Sequence, residues 1–211
     1  MLDTTRPSPA AISARAERVA ALTDLAPALA ARVLAVADEA AALDPTGLLG
    51  DHRHHAVRVA TAARLLAPTV GVRPSDAFAA GLLHDVGELL LLDAHPGAYL
   101  ALHRAAATHV ELLRTEKARF GTDHALAGAE HLLDQRIPDV IADAVADHHD
   151  PFHTSAGTTI VVAAADELIS AEAGRTHALD LLELDVAAAQ GLLGRVDDEA
   201  AEVLGLLAAT P

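Results

Sequence analysis

The stretch GLLHDVGE, residues 81–88, places an adjacent histidine and aspartate, His84 and Asp85, directly after the apolar pair Leu82 and Leu83. An imidazole and a carboxylate in such a place are hard to explain by folding alone, because burying polar groups without partners costs free energy. Imidazole nitrogen and carboxylate oxygen are both good ligands for Zn, Mn, Fe or Ni. The stretch therefore predicts an apolar helix that leads into a metal site.

The composition favours an all-α protein with one well-buried core. Hydrophobic residues make up 52% of the 211 residues and aromatic residues only 2%. Such a core must be built from many small contacts between closely approaching helices. The chain has no cysteine, so any metal must be held by His, Asp and Glu.

The charge of the chain argues against two classes of partner. A formal net charge of −15 at pH 7 opposes binding to nucleic-acid backbones and to anionic membranes, and Lys117 is the only lysine. No apolar run reaches the roughly 18 residues of a membrane span, and Met1–Pro7 lacks the apolar core of a signal peptide. We therefore expect a cytoplasmic protein that binds neither nucleic acid nor membrane.

Hydrophobic periodicity divides the chain into three parts. Residues 1–9 are expected to be disordered, residues 10–48 to form an N-terminal helical cap, and residues 49–211 to form the main helical domain with its closing helices.

Two of the predicted helices have instructive boundaries. One begins at Pro74 or Ser75, and its pattern runs through His84-Asp85 toward Leu92. The final segment predicts one or two closing helices, broken near Gly191 and Gly194.

Further polar residues fall on the apolar stripes or at the ends of predicted helices. His55 and Asp166 share stripes with core residues, His124 lies in a first turn, and the pair His148-His149 ends a buried face. These groups need either a cation or a dense hydrogen-bond network to satisfy them. Seven other histidines are predicted to lie on the surface or in loops, namely His52, His54, His95, His103, His109, His153 and His177.

The order His55, His84-Asp85, His124, His148-His149, Asp166 resembles the HD superfamily of metal-dependent phosphohydrolases and, within it, the HDOD branch. The similarity covers about residues 49–171. It rests on HAVRVA (55–60), GLLHDVG (81–87), FGTDHALAG (120–128), HHDP (148–151) and AADEL (164–168). It implies an HD-type helical bundle with an N-terminal helical cap and C-terminal helices.

The resemblance also implies a site for a divalent metal, with two ions that could be Fe, Mn, Ni, Zn or Mg. His55, His84, Asp85 and Asp166 would form the primary site, and Asp85 would bridge to a second ion held by His124, His148 and His149. Such ions lower the pKa of a bound water and orient a phosphate, with His84 and Asp85 as the catalytic pair.

Two neighbours of His55 are further candidates. Asp51, one helical turn earlier, matches a carboxylate that some relatives use for a third metal. Arg58, one turn later, is a candidate to bind substrate phosphate if it leans toward the cavity, the alternative being an ordinary surface arginine.

Two departures from the family pattern bear on function. Glu88 stands where many relatives have a lysine able to contact phosphate, and its negative charge would repel a phosphate if it pointed inward. After the paired histidines the chain continues Asp150-Pro151-Phe152 instead of the Gly-Tyr-Pro loop of the related cyclic-di-GMP hydrolases, so that substrate is not expected.

Three hypotheses therefore stand for the function. The first is an HDOD-type signalling or regulatory protein that binds metal and acts through protein contacts or as a ligand sensor. The second is a metal-dependent phosphohydrolase acting on a nucleotide or small phosphoester, and the third is a metal-free interaction scaffold. The expected partners are a small phosphorylated ligand or a signalling protein, and a second copy of the chain could pair through the outer helices.

Overall fold

The computed structural model describes residues 9–106, 108–151, 156–170, 180, 182–184 and 186–208, and over those ranges it is helical without strands. The predicted all-α class is confirmed. The helices are α1 (Pro9–Thr23), α2 (Pro27–Ala41), α3 (His52–Leu66), α4 (Pro74–Leu83), α5 (Val86–Ala94), α6 (Pro96–Ala105), α7 (His109–Phe120), α8 (His124–Asp134), α9 (Asp139–Ala146), α10 (Gly157–Ser170) and α11 (Val186–Ala208). Residues 1–8 of the predicted disordered segment and the predicted loop residues His153 and His177 lie outside the described residues, whereas Pro9 begins α1.

The core is organised around α3. This helix packs against α4, α10 and α11, and the α1–α2 pair covers α4 and α5 from the N-terminal side. Its Val57, Val59, Ala60, Ala62 and Ala63 are all inaccessible to solvent. Short alanine and valine side chains let the neighbouring helix axes come close to α3, which carries His55 near its start.

Two glycines permit close helix contacts, one on each side of His84-Asp85. A Cβ placed on Gly81 would lie 2.8 Å from the Cα of Ala60, so α4 rests directly on the backbone of α3. A Cβ placed on Gly87 would lie only 1.9 Å from the carbonyl oxygen of His124, so α5 rests directly on the first turn of α8. The two contacts hold His84-Asp85 between the helices that carry His55 and His124.

Two predicted helix boundaries were wrong. The apolar run from Pro74 toward Leu92 is two helices, because Asp85 leaves the helical conformation (φ −102°, ψ 15°) and α5 restarts at Val86. In contrast, α11 continues through Gly191 and Gly194 without a break. A helical glycine costs about 1 kcal/mol relative to alanine, which the burial of apolar residues further along α11 outweighs.

No single helix in the described ranges is long and apolar enough to cross a bilayer, although Ser13–Thr23 and Pro27–Ala41, bent by 112°, pass together by length and composition.

Candidate metal centre

His84 and Asp85 lie in the turn between α4 and α5. His84 donates from Nδ1 to the carbonyl oxygen of Gly81 at 2.9 Å, one of the carbonyls left without a partner at a helix end. A carbonyl only accepts, so Nδ1 carries a proton, and Nε2 is the nitrogen that presents a lone pair to a metal when the ring is in its neutral form. This Nε2 lies 2.8 Å from Oδ2 of Asp85. Ring and carboxylate therefore face the same space beyond the helix end.

His148 and His149 repeat this arrangement just after α9. His148 donates from Nδ1 to the carbonyl oxygen of Val145 at 2.7 Å, again three residues earlier. Its Nε2 is buried without a hydrogen-bond partner and lies 3.4 Å from Oδ1 of Asp85. A buried ring nitrogen with a lone pair and no donor needs a partner, and a cation is one that it can bind.

Three further helices each contribute one residue. His55 in the first turn of α3 has its Nε2 at 3.3 Å from Nε2 of His84 and 3.2 Å from Oδ1 of Asp166, which lies on α10. His124, the first residue of α8, has its Nε2 at 2.9 Å from Nε2 of His149. The structure thus brings together all seven residues that the family pattern assigns to two ions.

Asp85 joins these side chains into two groups that share its carboxylate. Ligand atoms of His55, His84 and Asp85 lie within 4.8 Å of one another, and so do those of Asp85, His124, His148 and His149. Oδ2 of Asp85 faces the first group and Oδ1 the second. Two ligands about 2.1 Å from one ion lie roughly 3–4 Å apart, so each group has the dimensions of a metal site.

The electrostatics of the cluster suit a cation. Burial lowers the pKa of His84, but Asp85 and Asp166 outweigh it and raise that pKa to about 9 in the metal-free protein. Burial prevails at His148 and lowers its pKa, so this ring is neutral. Burial acts to raise the pKa of Asp85, but His84 and His148 hold it well below its usual range. An ionised carboxylate and a neutral imidazole are the forms of these groups that bind metal.

A buried glutamate on α7 supports the second group. Glu116 is inaccessible to solvent, and its Oε2 accepts hydrogen bonds from Nδ1 of His124 at 2.8 Å and from the His124 backbone N–H at 2.9 Å. The hydroxyl of Tyr99 donates to its Oε1 at 2.8 Å. Sequence reasoning missed this residue, although it lies one turn after the buried Leu112, and that spacing marked the inward face of α7.

Two further residues lie beside Asp85, of which the first departs from its predicted position and the second takes the inward direction that the sequence left open. His52, predicted to lie on the surface, is half-buried, with its Nε2 at 3.1 Å from the carbonyl oxygen of Asp85. Glu88 points inward: it is 9% exposed, and a ligand atom of each of His52, Asp85 and Glu88 lies within 4.8 Å of the others. Burial and the charge of Asp85 raise the pKa of Glu88 to about 8.

Two predicted site residues do not join the cluster. Asp51 is the N-cap of α3, where its carboxylate accepts the backbone N–H of His54 at 3.1 Å, and no ligand group among the described residues includes it. Arg58 forms an ion pair with Asp197 of α11 at 2.9 Å, which corresponds to the surface alternative. Helix capping and helix packing give both residues structural partners.

Comparison with known proteins identifies the domain that carries this cluster. The family model for the HDOD domain matches residues 48–151, about half of the chain. The chain is 30% identical over 120 residues to ribonuclease Y of Thermus thermophilus, covering 57% of this chain and 16% of that protein. It is 31% identical over 127 residues to ribonuclease Y of Deinococcus radiodurans, covering 60% and 18%. The chain therefore spans less than a fifth of the length of these curated relatives.

Solved structures share the fold at low sequence identity. An HDOD domain protein of Geobacter sulfurreducens has a TM-score of 0.63 at 20% identity, covering 94% of this chain and 82% of that one. A protein of Shewanella amazonensis named as a phosphohydrolase has a TM-score of 0.60 at 19% identity, covering 94% and 77%. A protein of Marinobacter aquaeolei named as a signal transduction protein has a TM-score of 0.61 at 20% identity, covering 75% and 39%. With the family match and the shared helical bundle, this chain belongs to the HD superfamily through an HDOD domain at residues 48–151.

Proposed function

We propose that this chain is a regulatory HDOD protein that binds two divalent metal ions and acts through a protein partner or a small phosphorylated ligand. The observation that carries the metal site is the buried Nε2 of His148, which has no hydrogen-bond partner and faces Asp85. Buried polar atoms are nearly always satisfied in folded proteins, so this nitrogen calls for a cation. The HDOD match and the resemblance in fold to a protein named for signal transduction support the regulatory role.

The two groups divide the ligands between two positions. His55, His84, Asp85 and Asp166 would hold one ion, and Asp85, His124, His148 and His149 the other. When bound, such ions polarise phosphoryl oxygens and lower the pKa of a bound water. This chain's own residues supply the fixed lone pairs and exclude solvent, since His84 and His124 are inaccessible and His148 is 2% exposed.

The surroundings of the cluster favour binding over phosphate turnover. Glu88 occupies the position of the family lysine and lies beside Asp85, so it brings no positive charge to a phosphate. Among the residues that the structure describes, the ion-pair partners of Asp85 and Asp166 are all histidines. These described ion pairs therefore bring no lysine or arginine to the cluster that could neutralise a bound phosphate.

Metal content of the purified full chain tests the proposal. Elemental analysis of wild type is expected to find close to two divalent ions per chain, and Asp85→Asn is expected to bind less than one because Asp85 belongs to both groups. Asp197→Asn is the matched control, since this exposed carboxylate pairs with Arg58 outside the cluster. If wild type still contains no metal after incubation with Mn, Fe or Zn, the proposed metal site is wrong and the metal-free scaffold hypothesis is favoured.

A metal-dependent phosphohydrolase is the second candidate function. The complete set of seven clustered ligand residues favours it, as does similarity to proteins named ribonuclease Y and phosphohydrolase. The net charge of −15 opposes RNA as a substrate, so a small phosphoester is favoured within this candidate. Assays of the loaded chain with a generic phosphodiester, a nucleotide panel and RNA distinguish the two functions. Turnover that Asp85→Asn abolishes would establish the hydrolase, and turnover that survives it would reject two-metal chemistry.

A further inference from the structure

The side chain of Glu116 connects the second ligand group to the α6–α7 pair. It is inaccessible to solvent, yet among the described residues no lysine or arginine pairs with it. Its hydrogen bonds come from the His124 ring, the His124 backbone and Tyr99. Within the described part of the chain, the donors to this buried carboxylate therefore belong to a ligand residue or to the tyrosine of α6.

The geometry fixes which nitrogen of His124 faces the cluster. Nδ1 lies 2.8 Å from Oε2 of Glu116, and the carboxylate can only accept, so Nδ1 carries a proton. Nε2 is then the nitrogen left to point at the cluster, where it lies 2.9 Å from Nε2 of His149 and 3.7 Å from Oδ1 of Asp85. His84 and His148 obtain the same tautomer from backbone carbonyls. His124 is the first residue of α8 and has no preceding helical turn to supply one.

We infer that Glu116 is a positioning residue that holds His124 in the tautomer and ring orientation needed to bind the second ion. Its second hydrogen bond, from the backbone N–H of His124, fixes the start of α8 as well as the ring. Tyr99 holds the other carboxylate oxygen and so keeps Glu116 from rotating. This inference rests on the proposed two-ion site and adds a residue that the HDOD ligand pattern does not include.

Two variants separate this role from packing. Glu116→Gln keeps the size of the side chain but removes its charge and offers an amide group that can donate toward His124. Tyr99→Phe is the matched control, because it removes one hydrogen bond from the same carboxylate and leaves both bonds to His124 in place. Partners of ligating histidines commonly contribute 10-fold to 100-fold to metal affinity. We expect Glu116→Gln to lower the affinity for one of the two ions by about this factor, and Tyr99→Phe to change the affinity for either ion by no more than about twofold.

The measurements are Mn²⁺ and Zn²⁺ affinities of the full chain by competition with a chelating dye, and ¹⁵N NMR of the His124 ring. In wild type loaded with Zn²⁺ the His124 signals are expected to show Nδ1–H with slow hydrogen exchange. This measurement on wild type remains informative even if Glu116→Gln fails to fold. Signals of an Nε2–H tautomer in wild type would overturn the inference. So would a folded Glu116→Gln protein in which His124 carries its proton on Nε2 and which still binds both ions with wild-type affinity. If wild type binds no metal at all, the two-ion proposal itself fails. If wild type binds two ions but one of the preceding results is found, only the positioning role of Glu116 fails.

Discussion

Substituting alanine for Gly87 tests how the fold assembles the cluster. A Cβ at this position would lie 1.9 Å from the His124 carbonyl oxygen and 2.8 Å from the Gly128 backbone nitrogen, so it would meet backbone atoms that cannot rotate away. An ordinary contact is at least 3.4 Å, and α8 would have to retreat from α5 by about 1.5 Å. The substitution therefore separates the helix that follows Asp85 from the helix that begins with His124.

The retreat is large in relation to the site. Oδ1 of Asp85 and Nε2 of His124 are 3.7 Å apart, and a rigid shift of α8 by that amount would place them about 5 Å apart. Ligands of one ion are at most roughly 4.2 Å apart at ordinary bond lengths, so the second ion would lose a ligand. Overpacking of this kind costs about 1–3 kcal/mol and occasionally more, and contact with backbone favours the upper part of that range.

The assay combines urea unfolding with metal analysis of the full chain. Gly87→Ala is expected to lower the free energy of unfolding by about 3 kcal/mol and to retain only the ion of the first group. Gly97→Ala is the control, because a Cβ at this position in α6 meets nothing within 4 Å. It is expected to stabilise the chain by about 0.4–1 kcal/mol through the unfolded state. A Gly87→Ala protein within about 1 kcal/mol of wild type that keeps both ions would refute the close-contact reasoning.

Three further predictions follow from the site and its surroundings. In the metal-free folded protein the pKa of Glu88 is about 8, against 4.5 for an ordinary glutamate. Because folding raises this pKa, wild type loses stability as pH rises from about 4.5 to 8, and the free energy of unfolding of Glu88→Gln should increase relative to wild type by a few kcal/mol over that window. Urea unfolding that shows a constant difference between the two proteins from pH 4.5 to 8 would contradict this. Removing metal with a chelator should lower the melting temperature of wild type but not that of Asp85→Asn, because an ion that binds only the folded state stabilises that state. If circular dichroism shows the same change in melting temperature for both proteins, the assigned metal site is wrong. Asp51→Ala should destabilise the chain by about 1 kcal/mol through loss of the α3 N-cap while metal content stays at the wild-type value, and loss of metal in elemental analysis would restore Asp51 as a ligand.

Helical periodicity predicted the inward residues that lie within regular helices. His55 and Asp166 share stripes with buried neighbours, and counting three and four residues from the apolar positions was enough to turn them inward. His124 was placed in a first turn, where Asp123 accepts the backbone N–H of Leu126 as the N-cap. The all-α class followed from the same periodicity.

Residues whose position depends on contacts between helices could not be predicted in this way. Glu116 and Tyr99 are in contact because α6 and α7 pack together beside α8. The local sequence of either helix does not predict that contact. Glu88 was identified as a departure from the family pattern, but its inward direction depends on the restart of α5 after Asp85. Arg58 and Asp51 show the reverse case, since each has a structural partner that the family pattern did not suggest.

The break at Asp85 is what allows two adjacent residues to serve one site. Neighbouring side chains on a continuous α-helix point about 100° apart, so His84 and Asp85 could not both face the same point if α4 ran on into α5. Asp85, the second residue of its pair, leaves the helical conformation at φ −102° and ψ 15°; in the turn after α9 the break comes earlier, at Asp147 with φ −110° and ψ 9°, one residue before the pair His148-His149. In both turns the first histidine returns its Nδ1 to the carbonyl three residues earlier, which satisfies a helix-end acceptor and aims Nε2 past the end of the helix. A helix end thus supplies both a change of chain direction beside the ligands and the carbonyl acceptor that fixes a tautomer. The apolar pattern continues across this helix end, which is why it did not predict the boundary between α4 and α5 at His84-Asp85.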